Sequence, residues 1–375
     1  LQQPNILMFQ VDQLTALALR AYGDPVCHAP TLDGMAASGV VFENAYCNFP
    51  LCAPSRFSMA SGQLCSNIGA YDNAAELAAS IPTYAHYLRA QGYHTCLSGK
   101  MHFIGPDQHH GFEQRLTADL YPADFSWVPH WGNEGKRDTN DARSVTIAGV
   151  CDRSVQIEFD EEVTLQAERY LYQVSGNTNR RPFFLQVSYT HPHEPYLCQQ
   201  KYWDLYAESG VPRPATGPLG ESEYDAHSVR LLKDFGMLGH PFTDEEVQRA
   251  RRGYYGSISY IDSLVRRVLT VLESTGLDSN TVILFTSDHG DMLGERGLWF
   301  KKHFYEHAIR VPLIVQAPWI KANRVTELVS LLDLLPTLNA MAGGPSLESE
   351  ASEGADLTSL FDSSRGSGRT VYAEY

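Results

Sequence analysis

Asp12 and the pair Asp288-His289 are the residues of this sequence whose types could hold a metal ion. Asp12 follows at once on the apolar run 5–11 (NILMFQV), and the run 281–286 (TVILFT) is followed by Ser287-Asp288-His289. Two carboxylates and one imidazole suit Ca²⁺, Mn²⁺ or Mg²⁺ better than a thiolate-seeking cation. Taken singly, each could cap a helix or stand in a turn. Their common place after strand-like runs argues for one site, to which Gln13 either adds a neutral oxygen or turns to solvent.

The sharpest local feature is Cys52-Ala53-Pro54-Ser55-Arg56. Proline suits a first helical turn, so Cys52 is expected at a helix start, where backbone N–H groups favour an anion. Arg56 adds a planar fork within the same turn. Further cations stand at comparable places: Lys100 and His102 after the short run 95–97, His193 after the run 182–189 (PFFLQVSY), and Lys301 beside Lys302. The whole chain is acidic, with 29 Lys and Arg against 44 Asp and Glu and a net charge of −15. That balance excludes nucleic-acid binding and docking on anionic lipid, and makes a local cationic cleft an electrostatic exception able to draw in a small anion.

The elements that must position these residues alternate. Strand-like runs at 5–11, 95–97, 182–189, 281–286 and 313–316 are separated by helical patterns at 81–91, 161–174, 244–274 and 330–342. Gly92 is expected to close the first helix, Thr243 or Asp244 to cap the third, and Pro336 to kink the fourth or start its second part. Strands alternating with helices predict an α/β fold with a largely parallel sheet covered on both faces, whose ligands bind beyond the carboxyl ends of the strands. Four such ends carry a carboxylate, imidazole or ammonium group, and together they predict an active site. Residues 211–224 and 343–354 read as surface loops.

No apolar run reaches the ~18–20 residues of a membrane span. Seven cysteines (an odd number, with no C-x-x-C pair) predict free thiols and a cytoplasmic protein with no leader.

Cys-x-Pro-x-Arg followed by Ser61-Gly62-Gln63 resembles the signature of the type I sulfatases, members of the alkaline phosphatase-like superfamily. The resemblance extends to Gly99-Lys100-Met101-His102, Thr190-His191-Pro192-His193-Glu194-Pro195, Ser287-Asp288-His289-Gly290 and 333–338 (DLLPTL). Segments 72–76, 99–112, 121–125 and 290–301 are similar to the choline-sulfatase branch. Two features depart from the common pattern. The metal strands end in Asp12-Gln13 and Asp288-His289, pairs shared by choline-sulfatases and phosphonate monoester hydrolases. Residues 369–375 look like a strand cut near its end, so the chain is expected to be one catalytic domain, 1–375, without the family's small antiparallel C-terminal subdomain.

The resemblance implies a large, mostly parallel mixed sheet sandwiched by helices and a formylglycine made from Cys52 by a maturation system. It also implies one divalent cation, Ca²⁺ first, with Mn²⁺ or Mg²⁺ as alternatives, bound by Asp12, Cys52, Asp288 and His289. Arg56 would lower the pKa of the nucleophilic hydroxyl, and Lys100 would bridge that residue and the sulfate. His193 and Lys301 would serve the leaving group, and His102 would take a proton to re-form the aldehyde. The substrate would be a small anionic sulfate ester, choline O-sulfate in this branch. Its ammonium would be read by Trp127 among the aromatics of 121–131, with Asn73 and Glu374. The full-length branch implies a homo-oligomer. Two other readings remain: a phosphonate monoester or phosphodiester hydrolase with the same nucleophile, and a non-catalytic anion-binding fragment with Cys52 unconverted.

Overall fold

The structure is a computed structural model that describes residues 3–127, 141–177, 181–207, 210–348, 351–363 and 368–375. Eleven strands occur among them: β1 Asn5–Asp12, β2 Val40–Tyr46, β3 His94–Gly99, β4 Gln114–Arg115, β5 Gly149–Val150, β6 Phe183–Pro192, β7 Leu197–Cys198, β8 Thr281–Ser287, β9 Arg310–Val311, β10 Leu313–Gln316 and β11 Asn323–Ser330. Nine form the central sheet, ordered β11-β2-β10-β8-β1-β6-β3-β4 with β9 pairing on β2, while β5 and β7 pair separately. The segment β8-β1-β6-β3-β4 is parallel throughout, and β10 runs antiparallel to both β8 and β2. The sheet is therefore mixed and mostly parallel.

β1 and β6 are buried along their whole length, as strands covered on both faces must be. Alternate residues of β1 feed two cores: Leu7, Phe9 and Val11 face one, Ile6 and Met8 the other. The first core is roofed by the helices Val155–Ser175 and Asp244–Ser274, the second by Cys52–Ser61, Tyr84–Ala90 and Leu334–Met341. Each fully buried Leu, Ile or Phe contributes ~1.5–3 kcal/mol, so the two cores fix the plane from which the polar strand ends project.

Several boundaries differ from expectation. The helix expected at 161–174 starts six residues earlier, because the Ser154 hydroxyl accepts the Ile157 N–H and caps it. The helix expected at 81–91 starts at Tyr84, after a Thr83–His86 capping box, and Gly92 follows it at φ 89°. Asp244–Ser274 is one unbroken helix capped by Thr243. The segment 330–342 splits into a 3-10 turn, Leu331–Asp333, and the helix Leu334–Met341, whose first turn contains Pro336. Residues 369–375 form no strand. Arg369 pairs with Asp333, the Glu374 N–H donates to Asn48 O at 2.8 Å, and Asn48 Nδ2 donates to Tyr372 O at 2.7 Å.

Candidate active site

Adjacency in the sheet brings the reactive residues together. β8, β1, β6 and β3 are parallel neighbours, with Val11 opposite Ser287, Asp12 opposite Pro192 and Gly99 opposite Ser188. Asp288, Asp12, His193 and Lys100 therefore leave the same edge side by side. Gly99 is required there: a Cβ would lie 1.9 Å from Ser188 O, and φ is 113°.

The helix Cys52–Ser61 points its first turn at this edge and is buried at every position. Pro54 costs it no hydrogen bond, since the first N–H groups of a helix have no internal partner. The Ala53 N–H, one of those orphans, donates to Asn73 Oδ1 at 3.0 Å. Cys52 Sγ lies 3.3 Å from His289 Nε2 and 3.7 Å from Asp12 Oδ1. One ligand atom from each of Asp12, Cys52, Asp288 and His289 can be chosen so that all four lie within 4.8 Å of one another, and the four residues are buried. Nδ1–H of His289 donates to Gly290 O at 3.0 Å, which leaves the Nε2 lone pair facing the cluster. Burial, the largest influence, holds His289 below its ordinary pKa and keeps it neutral, the form that ligates. Two carboxylates and an imidazole fit a divalent cation, and replacing the thiol by aldehyde-hydrate oxygens would make the set harder still.

Arg56 locks the carboxylates. Its Nε donates to Asp288 Oδ2 at 2.8 Å and its Nη2 to Asp12 Oδ2 at 3.0 Å, while Nη1 holds Lys100 O and Ser188 Oγ. Lys100 Nζ reaches the same Asp12 oxygen at 2.5 Å. Burial alone would raise the Asp12 pKa, but the positive charge around it, Lys100 first and with it Arg56, outweighs that and holds it well below the usual range. The two carboxylates are thus balanced by two buried cations, and a divalent ion would turn the cluster positive toward an anionic substrate.

Lys301 and His193 form a second group. Nδ1–H of His193 donates to Glu194 O at 2.8 Å, so Nε2 accepts from Lys301 Nζ at 2.7 Å. Lys301 also donates to Gln13 Oε1 at 2.5 Å and lies 3.6 Å from Glu194 Oε1. Burial, the largest influence, opposes its charge, but Glu194 together with Asp12 and the other nearby acidic groups outweighs it and raises its pKa, so the ammonium persists. Gln13 neither faces solvent nor offers its oxygen to the metal cluster. It is fully buried, with its oxygen on Lys301 and its amide donating to Glu194 Oε2 and Asp291 Oδ2, each at 2.5 Å. Asp291 in turn accepts from Tyr196 and from the N–H groups of Leu293 and Phe300, fixing the loop that delivers Lys301.

On the other flank, Lys100 Nζ lies 4.4 Å from the centroid of the Tyr121 ring, on which the His102 ring stacks at 4.9 Å. Burial, then Lys100, pushes the His102 pKa down to about 3, so the imidazole is neutral at pH 7. Asp119 accepts the N–H groups of Met101 and His102 and holds this turn.

The residues expected at the alcohol end are less gathered. Asn73 touches the nucleophile helix, as above. Glu374 Oε1 accepts the Ser66 N–H at 2.9 Å and serves the start of the short helix Cys65–Ile68. The backbone of Trp127 ends the 3-10 turn Phe125–Trp127; its side chain, and Trp131, lie outside the described residues. All seven cysteines are free. Sequence reasoning gave no role to Glu194 or Asp291, nor to Asp119 in holding the Met101-His102 turn. Glu194 and Asp291 had a visible signal, standing one and three residues beyond His193 and Asp288.

Fold and site together suit a hydrolase of tetrahedral oxyanion esters: a buried cysteine at a helix start, set among metal-type ligands and buried cations at the carboxyl end of a parallel sheet. Residues 4–344 match the Sulfatase family profile. The chain is 47% identical over 347 residues to a choline-sulfatase of Rhizobium meliloti (strain 1021), covering 91% of this chain and 68% of that protein. It is 30% identical over 398 residues to iduronate 2-sulfatase of Mus musculus, covering 91% and 69%. A phosphonate monoester hydrolase from Silicibacter pomeroyi superposes with a TM-score of 0.79 at 26% identity, covering 98% of this chain and 78% of that one. The chain belongs to the sulfatase family and is a sulfuric ester hydrolase.

Proposed function

We propose that the chain cleaves choline O-sulfate to choline and sulfate, using a formylglycine at position 52 and one divalent cation, calcium first. The observation that carries the substrate is the 47% identity with a choline-sulfatase over 91% of the chain. When present, the cation supplies Lewis acidity and the formylglycine a hydroxyl nucleophile for sulfur.

The chain's own residues divide the remaining work. Arg56 holds Asp12 and Asp288 in ligating positions and offsets their charge. Lys100, kept protonated by Asp12, neutralises the sulfate oxygens beside Cys52. An alkyl alcohol is a poor leaving group, so its departing oxygen needs a proton; the Lys301–His193 pair holds one at 2.7 Å between nitrogens. His102, neutral behind Tyr121, can accept a proton at the nucleophile end. For the ammonium we assign Trp127, Asn73 and Glu374. Maturation of Cys52 requires a formylglycine-generating partner, and a homo-oligomer is proposed.

A second reading, a phosphonate monoester hydrolase, is favoured by the TM-score of 0.79 with such an enzyme. Sulfuryl and phosphoryl centres share tetrahedral shape, so relative rates decide. A kcat/KM for choline O-sulfate at least tenfold above that for a phenylphosphonate monoester supports the first reading; the reverse order overturns it.

A further inference from the structure

The helix Val155–Ser175 turns a polar stripe toward β6, behind the turn that carries His193. Gln156, Asp160 and Thr164 stand four residues apart and so share one face. Asp160 is fully buried. Its Oδ1 accepts the Thr190 N–H at 2.8 Å and the Thr190 hydroxyl at 3.0 Å; its Oδ2 accepts the His191 N–H at 3.1 Å and His191 Nδ1–H at 2.6 Å. One turn earlier, Gln156 Nε2 donates at 2.9 Å to Glu194 O, the same carbonyl that receives Nδ1–H of His193. The helix thus grips the chain on both sides of His193, at Thr190-His191 before it and at Glu194 after it.

A buried carboxylate is costly unless its oxygens are satisfied, and here all four donors come from Thr190 and His191, the two residues just before the turn that carries His193. What the arrangement fixes is orientation. Glu194 O, held by Gln156, takes His193 Nδ1–H at 2.8 Å, with Glu194 Oε2 3.3 Å from the same nitrogen, so Nδ1 is turned to Glu194 and Nε2 to Lys301. Thr164 completes the stripe, its hydroxyl donating to Asp160 O and meeting the Tyr189 hydroxyl at 3.1 Å.

We propose that Asp160 and Gln156 are positioning residues for leaving-group protonation, acting through the His193–Lys301 pair. The proposal rests on the reading of that pair as the proton source. Misplacing such a donor penalises poor leaving groups most, because a good one departs without the proton. The test compares kcat for an alkyl sulfate and for para-nitrophenyl sulfate in the matured enzyme and in Gln156→Ala, Asp160→Asn and His193→Ala. In Gln156→Ala we expect kcat to fall about tenfold more for the alkyl ester than for the aryl ester, with KM for each moving less than about twofold. Asp160→Asn should fall in the same sense and further; if it does not fold, Gln156→Ala decides alone.

His193→Ala separates the two possible failures. Selective loss in His193→Ala, with equal losses on both esters in Gln156→Ala, overturns the positioning proposal alone. Equal losses on both esters in His193→Ala overturn the proton-source reading, and the positioning proposal falls with it. Selective loss in all soluble variants supports both.

Discussion

Replacing Arg56 with methionine removes the group that holds the two metal-type carboxylates. In the native protein one guanidinium spans Asp12 Oδ2 at 3.0 Å and Asp288 Oδ2 at 2.8 Å, with all three side chains fully buried. Methionine keeps much of the volume but leaves two carboxylates facing each other with only Lys100 beside Asp12, and strips a donor from Lys100 O and Ser188 Oγ. Breaking a buried pair of this kind costs about 3–5 kcal/mol. At ~2.1 cal/mol/K per residue, the unfolding entropy of 375 residues is roughly 0.8 kcal/mol/K, so metal-free Tm should fall by about 4–6 °C. Saturating calcium compensates the exposed carboxylate charge and should return at least half of that loss. Scanning calorimetry at one fixed scan rate, with chelator and then with calcium, reads both quantities. An unchanged metal-free Tm would refute the claim that Arg56 holds these carboxylates, and an equal loss with and without calcium would refute the charge argument.

Exhaustive chelation should abolish sulfatase activity and Ca²⁺ or Mn²⁺ should restore it, because Asp12, Asp288, His289 and position 52 lie within ligating reach of one another; full turnover by protein shown metal-free by elemental analysis would contradict the site. Stability should fall as pH drops. Burial pushes His102 and His303 down to about 3 in the folded chain, so the unfolded state binds protons first as pH falls below 6.5. Their contribution is whole above 6.5 and is lost down to about 3, at ~2–3 kcal/mol each by pH 4.5. Urea midpoints measured from pH 7.5 to 4.5 should decline, and a flat series would count against the neutral burial of these imidazoles. At the alcohol end, Trp127→Ala should weaken choline O-sulfate by ~1–2 kcal/mol, about five- to thirtyfold, with little change for an aryl sulfate. An unchanged ratio of the two substrates removes Trp127 from the site.

The strands bearing the chemistry were legible because a strand buried on both faces is a continuous apolar run, as in 5–11 and 281–286, and its polar successors stand out. β2 was not seen because Glu43 and Asn44 interrupt its apolar pattern, nor β11, whose residues alternate exposed and buried at the sheet edge. Cys52 at a helix start was readable from Pro54. The Gln13 hub was not, since Gln13 follows β1 while its partners stand after β6 (Glu194) and after β8 (Asp291 and Lys301), and only the sheet order brings these segments together. Asp160 was hidden for a different reason. Within 158–162 (EFDEE) it reads as one more acid on a solvated helix face, and only the packing of that helix on β6 buries it.

The central claim is that turnover runs through a formylglycine at position 52. Its most direct measurement is mass spectrometry of the peptide spanning Cys52 in preparations matured to different extents, with kcat determined on the same samples. The modified peptide is lighter by a sulfur and two hydrogens and heavier by one oxygen, and kcat on choline O-sulfate should rise in proportion to its fraction, reaching zero where the thiol is intact. Full activity in a preparation whose peptide carries only cysteine would contradict the account.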